Sequence, residues 1–118
     1  MKVFITFSPQ QEEGKLHLSH YIPQGNEKLE YSQTRFPIIP VINGYTEPGE
    51  EVRVILLVQD YKWCQFNEKY FREEITALFN EKGLKPFKLN EDGEVYDRID
   101  VPYDDAVTSH IKSFQAQI

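Results

Sequence analysis

Two short polar clusters each follow an apolar run, and their side chains have chemistry to offer. Ser8-Pro9-Gln10-Gln11 follows Lys2–Phe7 (KVFITF), and Asp60-Tyr61-Lys62-Trp63 follows Glu51–Gln59 (EVRVILLVQ). Gln10, Gln11 and Gln65 carry amides, which pair with base edges. Tyr61 and Trp63 carry flat rings, on which a base stacks. Lys62 and the hydroxyl of Ser8 suit phosphate oxygens, as do the free N–H groups at a helix start. Asn67 is the expected N-cap of the helix that follows, which would put that start beside the second cluster. Together the set suits a nucleotide. The same residues also have plain structural uses: Trp63 and Phe66 can close a core, and Lys62 can be a solvated charge.

Other site chemistry has less in its favour. No G-x-G-x-x-G follows the first apolar run and no P-loop occurs, so neither phosphate fingerprint is present. His17 and His20 are three apart, which places them on opposite faces of a strand and makes them poor joint metal ligands. His110 reads as a structural histidine on a last helix. Asp104-Asp105 reads as acids complementing the start of that helix. Cys64 has no histidine near it in sequence and reads as a small buried hydrophobe. No cofactor, metal site or catalytic residue is therefore expected.

With 118 residues the chain is one domain, 1–118, long enough to bury a core without disulfides. A formal net charge of −6 argues against sequence-blind binding to bulk DNA or RNA, which requires a basic surface. A small anionic ligand held by backbone N–H groups stays possible on an acidic protein. MKVFITFSP lacks the length and cleavage site of a signal peptide, and no stretch is long enough to span a membrane. The single cysteine fits a reducing compartment, and the cytoplasm is the expected location.

The two clusters need rigid elements behind them. Lys2–Phe7 reads as a first, largely buried strand stopped by Ser8-Pro9. Lys15–Ile22 and the KLEYSQ stretch read as the arms of a hairpin around Gln24-Gly25-Asn26. Thr34 is the expected N-cap of a two-turn helix over Phe36–Asn43, with Pro37 and Pro40 in its first turn and Gly44 as its C-terminal cap. Glu51–Gln59 is apolar on both faces from Val54 to Val58, the pattern of a parallel strand covered by helices.

Glu68–Lys82 reads as an amphipathic helix with Phe71, Ile75, Leu78 and Phe79 inward, Glu68–Arg72 and Lys69–Glu73 pairs in solvent, and Gly83 as its stop. Leu84–Leu89 reads as a strand, Asn90–Gly93 as a turn, and Glu94–Val101 as the returning arm of a hairpin. A last helix is expected over Tyr103–Gln117. Strands alternating with helices predict an α/β fold: a small Rossmann-like three-layer domain with a mainly parallel sheet and a β-hairpin insertion. In such a sheet ligands bind beyond the carboxyl ends of the strands, where both clusters are expected.

KVFITFSP, TRFPIIPVINGYTEPGEEVRVILLVQD and NEKYFREEITALFNEKGL, in that order, resemble the CRISPR-associated Rossmann fold (CARF) family. The resemblance covers roughly residues 1–83. It implies a sensor that binds a cyclic oligoadenylate, most specifically cyclic tetra-adenylate, across the two-fold axis of a homodimer, with a fused or associated effector domain of type III CRISPR antiviral defence carrying any catalysis. By position it assigns Ser8, Pro9, Gln10 and Gln11 to one pocket loop and Asp60, Tyr61, Lys62 and Trp63 to the other. Some members of the family also cleave the ring. Many members carry an Asp-x-Thr-His-Gly sequence, of which AVTSHIKSF is only a faint echo, so binding without cleavage is expected. Two alternatives remain: a ring nuclease, and a protein–protein interaction module of the same fold.

Overall fold

The continuous apolar run forms β4, Glu51–Gln59, and the other elements are arranged about it. The computed structural model describes residues 1–21 and 31–103. β1, Lys2–Phe7, lies parallel to β4, in register from Lys2 opposite Val52 to Phe7 opposite Leu57. The opposite edge of β4 holds two short parallel pieces. β5, Lys85–Pro86, pairs with Glu51 and Val52, and β6, Asp97–Val101, pairs with Ile55–Gln59. They form one interrupted edge strand, with residues 87–96 looped out between them. A separate antiparallel hairpin, β2 (Ser19–Tyr21) with β3 (Tyr31–Thr34), is inserted after β1. The turn expected at Gln24-Gly25-Asn26 lies outside the described residues.

Two helices cover one face of the sheet. α1 spans Ile38–Gly44 and α2 spans Lys62–Lys82. Alternate residues of β4 (Val52, Val54, Leu56 and Val58) are buried in one cluster with Ile39 and Ile42 of α1 and Cys64, Phe71, Ile75, Leu78 and Phe79 of α2. Phe71 is the hinge of this core. Its ring meets Phe36 edge-on at 5.4 Å and Tyr96 edge-on at 5.3 Å, the geometry aromatic quadrupoles prefer. The chain is thus an α/β domain, Rossmann-like, with a mainly parallel sheet and a β-hairpin. The last helix expected over Tyr103–Gln117, with His110 and Asp104-Asp105, lies outside the described residues apart from Tyr103.

Several elements depart from the sequence expectation, each for a local reason. β1 is an edge strand rather than a largely buried one: Val3 and Ile5 are 50% and 60% exposed. Its β-branched composition marks a strand but does not say which face is covered. Thr34 does not cap α1 directly. It ends β3, where its Oγ1 accepts the Phe36 N–H at 3.0 Å and donates to Glu74 at 2.5 Å, while Pro37 occupies the cap position. Gly44 is the last helical residue and not a left-handed cap, since positive φ occurs at Gly14, Gly49, Gly83 and Gly93. Gly83, at φ 67°, does close α2 as expected.

Only Lys85 and Pro86 of the expected Leu84–Leu89 strand pair with β4, on an edge that tolerates the missing proline N–H. The Asn90–Gly93 turn is present, closed by Gly93 N–H to Asn90 O at 2.9 Å and Asn90 N–H to Glu94 O at 3.0 Å. The arm after it nevertheless does not fold back as a hairpin. It is taken up by the remaining free edge of β4, and Tyr96 goes into the core at 1% exposure.

Candidate ligand-binding site at the carboxyl ends of the strands

All three parallel strands leave the sheet on one edge, and backbone hydrogen bonds hold their exits together. Ser8 N–H donates to Leu57 O at 2.9 Å, extending the β1–β4 ladder by one step. Asp60 N–H donates to Val101 O at 2.9 Å, doing the same toward β6. The chain then turns sharply, with Tyr61 N–H to Gln59 O at 2.7 Å, and α2 begins at once.

α2 starts six residues before its expected first residue, Glu68. Asn67 is therefore not its N-cap. Tyr61 holds that position in extended conformation (φ −144°, ψ 132°), and no side chain caps the helix. The buried stripe explains the early start: Cys64, Asn67, Glu68, Phe71, Ile75, Leu78 and Phe79 lie at helical spacing on one face. Two polar members, Asn67 and Glu68, hid that periodicity. Lys62 and Trp63 consequently belong to the first turn of α2, and the second loop shrinks to Asp60-Tyr61.

Asn67, fully buried, instead ties the first cluster down. Its Nδ2 donates to Pro9 O at 3.1 Å and Gln11 O at 2.8 Å. Ser8, at 1% exposure, donates its hydroxyl to Cys64 O at 2.5 Å, so that hydroxyl is already engaged in holding loop to helix. Gln10 is half-buried, and Gln11 is exposed. Asp60 is exposed and accepts a 3.4 Å bond from Gln65 Nε2. Lys62 is exposed, with Nζ 4.8 Å from the Trp63 ring centre. Trp63 packs edge-on against Phe66 at 5.5 Å, and Tyr61 stacks on Tyr103 at 5.2 Å with 23° between planes.

The eight residues of the two clusters and Asn67 thus gather at one edge of the sheet, at the start of a 21-residue helix that no side chain caps among the described residues. The arrangement offers backbone N–H donors and the positive end of a helix dipole, the exposed cation of Lys62 and several aromatic rings. That is suited to an anionic, aromatic ligand. Cys64 has no place in such chemistry: it is buried, and burial pushes its thiol up, so the reactive thiolate is disfavoured. Among the described residues no group of three His, Cys, Asp or Glu side chains is placed to hold a metal ion, and no helix is long and apolar enough to cross a membrane.

Gln59 is the residue that sequence reasoning passed over. It ends β4 at 1% exposure, and among the described residues neither its Nε2 nor its Oε1 has a hydrogen-bond partner. An amide closing an otherwise apolar run was the available signal.

A second polar cluster, beneath α2, is structural. Glu68, expected in solvent, is 5% exposed. Its carboxylate accepts the Tyr96 hydroxyl at 2.6 Å and Arg98 at 2.5 Å, with Arg72 3.9 Å away. This network anchors the interrupted edge strand to α2. Burial, and then the bond to Glu68, push the Tyr96 phenol well above its ordinary 10.0. As pH rises past 10 the unfolded chain loses that proton while the folded one keeps it, so stability falls in that range. Tyr96→Phe is expected to cost about 1–2 kcal/mol at neutral pH and to flatten this alkaline loss, as read from urea unfolding at pH 7 and pH 10.5. An unchanged alkaline slope in the variant would place the titration elsewhere.

No family model matches the chain, and no curated protein or solved structure is significantly similar to it.

Proposed function

We propose that this chain binds a cyclic oligoadenylate, specifically cyclic tetra-adenylate, across the two-fold axis of a homodimer, as the non-catalytic sensor part of a type III CRISPR antiviral effector. The observation that carries this reading is the convergence of the β1 and β4 exits on the uncapped start of α2, with Lys62 exposed there beside Tyr61 and Trp63. Parallel strands delivering two loops to one edge is the arrangement in which α/β sheets bind ligands. A two-fold-symmetric ring suits a symmetric dimer, because one loop set is used twice and one Lys62 supplies two positive charges. Support for a second copy comes from the sheet face opposite the helices. There Val3, Ile5 and Ile99, each next to or within one strand of the others, are all exposed.

Isothermal calorimetry with cyclic tetra-adenylate and cyclic hexa-adenylate tests the reading directly. Lys62→Ala removes a cation that makes no ion pair among the described residues, so the fold is expected to survive it. Affinity is expected to fall about tenfold or more, since hydrogen bonds to charged groups are the strong ones. Absence of heat from either ring with the wild-type protein would end the proposal. Analytical ultracentrifugation, with and without ligand, tests the dimer.

A further inference from the structure

A buried primary amide with neither end bonded is rare, because each polar atom has given up its water without compensation. Gln59 is such a residue. It sits at the last pair of the β4–β6 ladder, opposite Val101, where the strands open. Two residues beyond Gln59 is Tyr61, and two beyond Val101 is Tyr103. These rings, each two residues past the last pair of that ladder, stack on each other at 5.2 Å. Tyr103 is 43% exposed and Tyr61 half-buried, so the stack has one side in solvent. A second orphaned atom, Asn67 Oδ1, lies on the neighbouring helix turn.

We infer that Gln59 is the base-reading group of the proposed ligand site, reached when a purine takes the place of one ring in the Tyr61–Tyr103 stack. The inference rests on the nucleotide reading above and adds what discriminates the base. Exchanging one flat ring for another on Tyr61 conserves most of the stacking. A glutamine amide is one donor and one acceptor side by side, which matches the N7 acceptor and N6 amino donor of adenine. Hypoxanthine presents N7 and O6, two acceptors, and leaves the glutamine oxygen unpaired. The site therefore takes adenine and rejects its deaminated counterpart.

The test uses cyclic tetra-adenylate and the same ring with every adenine replaced by hypoxanthine, titrated into the full chain. Wild-type protein is expected to bind the adenylate ring at least about tenfold more tightly. Gln59→Met, which keeps the volume and removes both polar atoms, is expected to bind the two rings alike. It is also expected to raise the melting temperature of the free protein by about 3–5 °C, because the uncompensated amide is gone. Wild-type protein that binds both rings equally overturns the inference while leaving the ligand reading intact, and this comparison needs no variant. A Gln59→Met protein that melts lower, or that keeps the preference, overturns it as well. Wild-type protein that binds neither ring removes the nucleotide reading, and this inference with it.

Discussion

Replacing Asn67 with aspartate is expected to cost about 3 kcal/mol or more at neutral pH, although the two side chains differ by little more than NH2 against O. Asn67 is fully buried, and its amide nitrogen faces the carbonyl oxygens of Pro9 and Gln11. A carboxylate there loses both donors and sets a buried negative charge against two carbonyl dipoles. It can escape only by taking up a proton, so its pKa in the folded chain rises. The sign follows: the cost is greatest where the unfolded carboxyl is ionised, and it shrinks as pH falls through the raised folded value.

Asn67→Ala removes the same bonds without adding charge and is expected to cost less, about 1–2 kcal/mol, with residues 8–13 exchanging their amide protons faster. Urea titrations of both variants at pH 5 and pH 8 check the ranking. Equal stabilities for the two at pH 8 would mean that the amide does not hold the first loop. Ligand affinity in Asn67→Ala then reports whether a tethered loop matters for binding, independently of Lys62.

Phe71→Ala is expected to be the most damaging truncation in the core, at about 3–5 kcal/mol. Phe71 has no exposed surface, and its ring meets Phe36 on one side and Tyr96 on the other. The two edge-on contacts add to the transfer and cavity terms. A domain of this size has only about 5–15 kcal/mol in total, so the loss takes roughly a fifth of it or more. The damage should spread beyond the cavity. Tyr96 carries the hydroxyl bonded to Glu68, and through it the link between α2 and β6. Phe71→Leu fills part of the space and is expected to cost roughly half as much. Near-ultraviolet circular dichroism and denaturant titration read both effects. A Phe71→Ala midpoint within error of wild type would show that the core collapses around the gap.

The legible parts of this fold were those in which a segment's own pattern decided its structure. β4 announced itself because five apolar residues in succession, Val54–Val58, cannot sit comfortably as a solvent-facing strand or a short loop. Gly83 ended α2 because a glycine after a helical stripe supplies the left-handed turn. The convergence of the two polar clusters followed from topology: β1 and β4 had to be parallel if helical segments separated them.

What was misread turned on polar residues used for tertiary bonds. Asn67 looked like a cap because asparagine favours caps. Its partners are carbonyls 56 and 58 positions away in the chain, which no local window contains. Glu68 looked like a solvent pair with Arg72, yet Tyr96 just before β6 and Arg98 within it claim it. Glu94–Val101 looked like a returning hairpin arm after a good turn. The stronger claim came from the unpaired edge of β4, which offered a longer ladder and a core site for Tyr96.

By itself, then, the amino-acid order determined the elements with clean periodicity, their parallel arrangement, and the edge at which the candidate site residues meet. Only the tertiary structure decided where α2 begins, which carbonyls Asn67 holds, and that Gln59 closes its strand with a buried, unbonded amide. The reason is physical: an apolar stripe or a turn is written in neighbours a few residues apart. The worth of a buried polar group depends on whichever distant atoms the finished fold brings within 3 Å of it, or fails to bring.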